Sequence, residues 1–165
     1  MALTKIIGSG IGTVTNQFSD ANMAAGSVLQ ILQATTTTQV TMNSTSYAST
    51  GLTLAITPSS TSSKILINFN TATYAQSANT FSVFEIFRGT VSGTNLGGAS
   101  YGMAQNFSGT DGNPMSTVSG MFLDSPNTTS ATTYTVGIKR AGTSANVSAQ
   151  ENSSLGTITL IEVGA

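Results

Sequence analysis

The sequence predicts an all-β protein, an antiparallel β-sandwich or jelly roll. Apolar and polar residues alternate with a period of two, most clearly in "KILINFN" (64–70), where Ile65, Ile67 and Phe69 share one face. Ser and Thr make up close to a third of the chain, and Thr is β-branched and suits a pleated, solvent-facing surface. Turn residues separate many short apolar runs, which is typical of sandwiches and jelly rolls.

The hydroxyl-rich composition has a second interpretation, because polar tracts also occur in disordered chains. A hydrophobic fraction of 39% and the repeated alternation favour a folded domain. The chain has 165 residues, which is one domain's length and enough to bury a core. Uncharged hydroxyls can enter subunit interfaces without the desolvation penalty of charge. Strand 81–88 is apolar on both faces and the chain ends in a strand two residues from the terminus, which suggests more burial than one small sandwich needs, so we expect a homotrimer.

The chain divides at residue 26 into an N-terminal arm and a β-domain. The arm, residues 1–26, has a glycine at every second position of "GSGIG" (8–12), which gives it little preference for helix or strand. "SDANMAAG" (19–26) is compatible with one helical turn capped by Asp20 or the serine before it. We predict an extended, anchoring arm followed by a β-sandwich over residues 27–165.

The first half of the β-domain contains five predicted strands. The first is aliphatic, the second follows a run of Thr, the third lies between a glycine and a proline, and the fourth alternates strictly. The fifth is apolar on both faces, which predicts a central strand covered on both sides. In order they are "SVLQILQA" (27–34), "TQVTM" (38–42), "LTLAI" (52–56), "KILINFN" (64–70) and "FSVFEIFR" (81–88).

The second half follows the same pattern with more glycine between the strands. Gly89 and "SGTNLGG" (92–98) predict a hairpin, and "GTDGNP" (109–114) predicts a turn. The strands predicted here are "YGMAQNF" (101–107), "MSTVSGMFLD" (115–124), "TTYTVGIKR" (132–140), the weaker "SANVSA" (144–149) and "GTITLIEV" (156–163).

The composition excludes several classes of function. Without cysteine there is no disulfide and no thiol nucleophile, and without histidine the commonest general base and metal ligand are missing. The eleven charged residues nearly cancel, and Lys139-Arg140, which we interpret as a solvated turn flank, is the one basic pair. We therefore expect no nucleic-acid partner. No apolar run approaches the roughly 20 residues of a membrane span, and the start of the chain is a poor signal peptide.

The carboxylates give little sign of catalysis. A glycosidase pair would need two of them roughly 5–10 Å apart across a cleft. Glu85 is expected to pair with Arg88 or Lys64, or to line a subunit interface, and it could meet Glu162 across a sheet. Two aspartates lie in turn sequences, where Asp caps backbone N–H groups, and a third lies near the possible helix cap. We predict no catalytic residue and no enzyme activity. The six carboxylates are Asp20, Glu85, Asp111, Asp124, Glu151 and Glu162.

Two short motifs resemble ligand sites only superficially. "TDGN" (110–113) has the start of a calcium loop but lacks the further oxygen ligands and terminal Glu of an EF-hand. "GSGIG" (8–12) has the glycines of a phosphate loop without a following Lys-Ser/Thr pair. We interpret the first as a turn and predict no metal and no cofactor.

Aromatic residues are the candidates for ligand contact. Tyr47, Tyr74, Tyr101 and Phe107 could stack on a sugar ring, or pack in the core or at a trimer interface. Tyr101 and Phe107 lie beside glycine-rich segments, so we predict that these two residues contact a glycan. The alternation also predicts that Tyr101, Met103 and Phe107 share one face of their strand.

Four stretches, taken in order, carry a resemblance to a known family. They resemble structural proteins of tailed phages, especially phages of aquatic bacteria, over about residues 26–163. The resemblance implies a trimeric jelly roll on a fibre, tail appendage or capsid surface, and it brings no catalytic residues. The stretches are "GSVLQILQATTTTQVTMNSTSYASTGLTLAITPSSTSSKILINFN" (26–70), "FEIFRG" (84–89), "FLDSPNTTSATTYTVGIK" (122–139) and "LGTITLIEV" (155–163).

These observations lead to one expected function and two alternatives. We expect a non-enzymatic structural protein of the virion, assembled in the host cytoplasm: a trimeric short fibre or tip. Residues 1–26 would dock it on other virion proteins, and its distal loops would contact a host-surface glycan. The first alternative is a capsid decoration protein that stabilises the head shell. A carbohydrate-cleaving tailspike is the second, and the lack of repeats and the sparse carboxylates disfavour it.

Overall fold

The computed structural model describes residues 23–98, 100–110 and 114–164. These residues form two antiparallel sheets that pack face to face, so the predicted all-β sandwich is confirmed. The strands are β1 (Val28–Thr36), β2 (Val40–Met42), β3 (Ala48–Ile56), β4 (Lys64–Ala75), β5 (Thr80–Arg88), β6 (Thr94–Asn95), β7 (Ala104–Ser108), β8 (Met115–Asp124), β9 (Thr132–Gly142), β10 (Val147–Ala149) and β11 (Gly156–Val163).

Each sheet is built around one long central strand. In the first sheet, β4 has β8 along one edge and β11 followed by β10 along the other, and β1 and β2 pair with the far sides of β11 and β10. In the second sheet, β5 lies between β9 and the pair β7 and β6, with β3 beyond β9. From β3 to β5, and again from β7 to β10, each strand lies in the sheet opposite to its predecessor.

The core lies between the facing sides of β4, β5, β9 and β11. Ile65, Ile67 and Phe69, the apolar face of the predicted alternation, have no exposed surface. They pack in one cluster with Phe84 and Ile86 of the second sheet. Burying a side chain of this size contributes about 1.5–3 kcal/mol to folding, so this central pair of strands accounts for much of the stability.

Strand β5 is buried on both faces, as the sequence predicts. Phe84 and Ile86 face the core, while Val83, Glu85 and Phe87 point to the outside of the sandwich and are nevertheless buried. The ring of Tyr47, from the segment before β3, lies 5.0 Å from that of Phe87 in an edge-to-face arrangement. Loop residues therefore form a partial third layer over this side of the second sheet.

Hydroxyl groups are not confined to the solvent face, which corrects the expectation from composition. Thr73 Oγ1 donates to the Ser148 carbonyl (2.7 Å) and contacts Ser82 Oγ (2.9 Å), and so links β4 to β10 and to β5. A buried hydroxyl is tolerated where it is hydrogen-bonded, as Thr50 and Thr73 are. The hydroxyls of Ser63 and Ser108 are buried without a hydrogen-bond partner in the described part of the chain. The buried Ser and Thr residues are Thr50, Ser63, Thr71, Thr73, Thr80, Ser82, Ser108, Thr132, Thr135 and Ser148.

The strand predicted at 101–107 is shorter than expected, and the predicted shared face is wrong. Strand β7 begins at Ala104, because Gly102 has a φ of +65° that a strand does not accommodate. Met103 packs against the core, whereas Phe107 is 48% exposed on the outer side. Tyr101 therefore belongs to a loop rather than to a strand face.

Most of the predicted arm lies outside the described residues, as does the first half of the predicted helical turn at 19–26. The described part, from Met23, makes a turn in which Ser27 N donates to the Ala24 carbonyl. Gly26 N then donates to the Gly164 carbonyl at 2.8 Å, beside the end of β11. No helix within the described ranges has the length and hydropathy needed to cross a membrane.

Candidate functional site

Three aromatic rings form a cluster at one end of the outer face of the second sheet. Phe81 on β5 is directly opposite Phe107 on β7, and their ring centroids are 4.4 Å apart in a stacked arrangement. The ring of Tyr101 lies 5.1 Å from that of Phe81. Tyr101 is 52% exposed and Phe107 is 48% exposed. The structure thus brings together the two residues predicted to contact a glycan, and places Phe81 between them.

The position of Tyr101 is fixed by its neighbours in sequence. A Cβ atom on Gly102 would lie 2.3 Å from the Phe84 carbonyl oxygen, so only glycine allows the chain to approach β5 this closely. Met103 N then donates to the same carbonyl at 2.8 Å. Sequence reasoning missed Phe81 because strand 81–88 is apolar on both faces, and the sequence did not show which of its aromatic residues reach the outer surface.

The cluster offers an exposed aromatic surface next to polar groups. Gln105 on β7 is exposed and lies opposite Val83, and Asn79, which precedes β5, is exposed at the same end of the sheet. An exposed aromatic patch with a polar rim is typical of a binding surface. Because its members are uncharged, this patch suits a neutral, ring-shaped ligand better than an ionic one.

The same outer face carries a buried carboxyl group, that of Glu85. Its Oε1 accepts hydrogen bonds from Ile86 N (3.0 Å) and Gly97 N (3.1 Å). Burial raises the pKa of Glu85, and the two backbone bonds and nearby Lys139 oppose this effect. The predicted pairing with Arg88 or Lys64 is wrong.

The basic pair Lys139-Arg140 is not a solvated turn flank, because both residues are half-buried within β9. Lys139 Nζ lies 4.6 Å from the centroid of the Tyr47 ring, a cation–π contact. Arg140 donates to the carbonyls of Gly142 and Thr143. Burial raises the pKa of Tyr47 to about 12, with a smaller contribution from the charge of Glu85. Lys139 and Tyr47, both half-buried, therefore form one polar group with the buried Glu85.

Asp124 is the last residue of β8 and is almost fully buried, so its interpretation as a turn cap is wrong. Arg88 donates to both of its carboxylate oxygens, from Nε at 2.7 Å and from Nη2. Tyr134 donates its hydroxyl at 2.6 Å. Burial, together with this bond, raises the pKa of Tyr134. Since Asp124 belongs to the first sheet and its partners to the second, the group ties the two sheets together.

Glu162 lies on the inner face of the first sheet and binds the loop before β4. Ser59 donates to Oε1 from its backbone N (2.7 Å) and its hydroxyl (2.6 Å), and Gln30 donates to Oε2 (2.5 Å). Burial alone would raise the pKa of Glu162, but these hydrogen bonds together lower it. Glu85 and Glu162 are in different sheets, so the expectation that they meet across one sheet is wrong.

The four described carboxylates thus occupy four separate surroundings. The fourth, Glu151, accepts from Gln39 at 2.9 Å and from the Ser148 hydroxyl. Asp124 and Glu162 lie on the two strands that flank β4, each opposite Ile65. The oxygens of each carboxylate nevertheless accept hydrogen bonds from a separate set of protein donors. Within the described ranges no three potential metal ligands cluster. Asp20 and Asp111, with the helix cap, the phosphate-loop glycines and most of "TDGN", lie outside the described residues.

The fold and this surface define a hydroxyl-rich β-sandwich with an exposed aromatic cluster and internally bonded carboxylates. No protein-family model matches the chain, and no curated protein matches it at a significant level.

Proposed function

We propose that this chain is a non-enzymatic structural protein of a tailed-phage virion: a trimeric surface appendage that contacts host-surface glycan. The observation that carries the proposal is the cluster in which the exposed Tyr101 and Phe107 pack against the half-buried Phe81. Aromatic rings with a polar rim suit the apolar face and hydroxyl edge of a sugar. Residues 1–26 would dock the appendage on other virion proteins.

The strand order supports the proposal. When only the eight principal strands are counted, the first sheet has the order β1-β11-β4-β8 and the second β3-β9-β5-β7. This is the order expected for a jelly roll with two Greek keys, a fold common in capsid and lectin domains. Because one fold serves many functions, the order supports the class of protein and leaves the ligand to the surface residues.

A row of aliphatic side chains, two exposed and two half-buried, supports self-association of this chain, which a trimer requires. On the outer face of the first sheet, Ile31, Ile161, Leu66 and Leu123 lie side by side across four strands. Ile31 is 60% exposed and Leu123 48%. We call these four residues the aliphatic row. Since the row carries no charge, further copies of this chain could cover it without burying an unpaired ion.

Binding to a glycan array tests the ligand. Tyr101→Ala and Phe107→Ala should each weaken binding roughly tenfold, because a stacked ring contributes about 1–1.5 kcal/mol. Leu155→Ala is a suitable control, since Leu155 is exposed (58%) and lies away from the cluster. Equal binding by all variants would refute the assignment of the site.

Release of reducing sugar from host envelope polysaccharide tests the non-enzymatic character. We expect none from the wild type, Glu85→Gln or Glu162→Gln, because hydrolysis needs two carboxylates that face one substrate. Release by the wild type that either substitution abolishes, without unfolding, would refute this part. Labelling of intact particles with antibody against the chain would then distinguish a tail or fibre position from a capsid decoration.

A further inference from the structure

The aromatic cluster of Phe81, Tyr101 and Phe107 lies at the end of the sandwich opposite to the arm. Gly26 N donates to the Gly164 carbonyl beside the first residues of β4. Phe81 instead follows the last residues of β4 after a short loop, and β4 has twelve residues. Because a strand rises about 3.3 Å per residue, the cluster is about 35 Å from the point where the arm joins the domain.

The backbone beneath the cluster is held by hydrogen bonds between three segments. Asn79 N donates to the Ser108 carbonyl at 2.7 Å, and Thr143 N donates to the Asn79 carbonyl at 2.8 Å. A Cβ atom on Gly142 would collide with the same carbonyl oxygen. These contacts join the start of β5 to the ends of β7 and β9. The cluster therefore rests on backbone that is fixed before a ligand binds, which lowers the entropy cost of binding.

The cluster offers one aromatic platform and not a row of them. The rings of Tyr101 and Phe107 both contact that of Phe81, at centroid distances of 5.1 and 4.4 Å. Among the described residues, these two are the aromatic residues with exposed side chains. A surface that follows a glycan chain needs further rings beside the first. Since a pyranose and an aromatic ring are of similar size, this platform is sized for one sugar ring.

The rim of the cluster is neutral. Lys139 makes a cation–π contact with a ring outside the cluster, and Glu85 has no exposed surface. Arg140 donates to two backbone carbonyls at the end of β9. The exposed polar side chains beside the rings are the amides of Gln105 and Asn79. An amide both donates and accepts hydrogen bonds, which suits the hydroxyl groups of an uncharged sugar.

We propose that the cluster binds one neutral sugar ring per subunit, at the end of the domain remote from the arm. The inference rests on the proposed function and narrows its ligand. The apolar face of the sugar stacks on the exposed rings, and its hydroxyl groups bond to the amides of the rim. A ligand of this size makes few contacts and binds in the millimolar range. Attachment to a host surface therefore needs several sites at once, and a trimer supplies three.

Titration of the full chain, followed by NMR, tests the size of the site. The probes are neutral hexoses, 6-deoxyhexoses and N-acetylhexosamines, each as the monosaccharide and as its linear tetrasaccharide. For the sugar that binds, the tetrasaccharide should bind no more than about fivefold more tightly than the monosaccharide, because its four rings compete for one platform. A larger gain would show adjoining subsites and overturn the inference.

Charge and substitution give two further tests. The uronic acid that corresponds to the bound hexose should bind no more tightly than the hexose, and tighter binding would overturn the neutral site. Tyr101→Ala and Phe107→Ala should each weaken binding of the monosaccharide about tenfold, because each removes a stacking ring. Met121→Ala is the control, since Met121 is 62% exposed but lies on β8 in the other sheet. Equal binding by the cluster variants and the control would overturn the assignment.

The outcomes separate this inference from the proposed function. Binding confined to acidic glycans, or to glycans of several residues, would refute the one-ring site and leave a glycan-binding appendage standing. Binding to no glycan, either in titration or on the array, would refute the proposed function itself.

Discussion

The polar side chains inside this sandwich form small hydrogen-bonded groups that join neighbouring elements. Asp124 binds Arg88 and Tyr134 of the opposite sheet, and Glu162 binds Ser59 of a loop. Removing one member of such a group leaves the other buried without a partner, and this penalty is larger than the net contribution of the bond itself. Single substitutions here should therefore have large and measurable effects.

Asp124→Asn should lower the free energy of unfolding by about 2–3 kcal/mol. Breaking a fully buried ion pair costs about 3–5 kcal/mol, and the cost is smaller here because Arg88 is partly exposed. Tyr134→Phe is the matched control, since it removes one hydrogen bond and leaves the ion pair, and should cost about 1 kcal/mol. Urea unfolding at pH 7 measures both. Equal effects of the two substitutions would show that the ion pair adds nothing.

Glu162→Gln should change the pH dependence of stability. Because hydrogen bonds lower the pKa of Glu162 in the folded state, its contribution is present above the ordinary value of 4.5 and is lost as the pH falls through the folded value. The variant should lose about 1–2 kcal/mol at pH 7 and lack this acidic decline. Thermal unfolding between pH 3 and 7 measures it. Glu85→Gln should instead raise the free energy of unfolding at pH 7, because burial raises the pKa of Glu85. A lower free energy of unfolding would contradict that direction of the pKa.

At the scale of elements, the glycine-rich and apolar segments have separate roles. Strand β5 holds the core on one face and the aromatic cluster and Glu85 on the other. The loop between β6 and β7 covers its outer face and carries Tyr101. The described end of the arm contributes one short turn beside Gly164. The sandwich is therefore expected to fold without the arm.

Removal of residues 1–26 should leave a folded, trimeric β-domain that no longer enters virions. Removal of 1–22 is the matched control for folding, because it retains the Gly26–Gly164 hydrogen bond. Circular dichroism and incorporation into particles in an infected host measure the two effects. Loss of the β-sheet signal in both truncations would show that the arm belongs to the core.

At the scale of the whole molecule, the two outer faces of the sandwich differ. The second sheet carries the aromatic cluster and the covering loops, whereas the first sheet carries the aliphatic row. If the proposed function holds, the aliphatic row is suited to assembly and the aromatic cluster to recognition.

The aliphatic row should therefore decide the oligomeric state. Sedimentation at micromolar concentration should show three subunits for the wild type and a monomer for the double variant Ile31→Ser, Leu123→Ser. Leu155→Ser is the control, because it removes a similarly exposed side chain outside the row. A monomeric wild type would refute the trimer. A double variant that remains trimeric would show that the subunit interface lies outside the aliphatic row.

The sequence by itself determined the strands with strong alternation, including 64–70 and 115–124, and the burial of 81–88 on both faces. These features depend on a period of two that any sheet must satisfy. The exposure of Tyr101 and Phe107 was also predictable, because glycine-rich segments flank them.

Only the tertiary structure decided which charges meet and which hydroxyls are buried. Asp124 and Arg88 are 36 residues apart, and their contact depends on two sheets packing with one register. Glu85 was expected to find a cation on its own strand, but alternation turns Arg88 to the other side. Phe81 joined Tyr101 and Phe107 because β7 pairs with β5. Partners of this kind are set by the pairing and packing of distant strands, which local sequence does not encode.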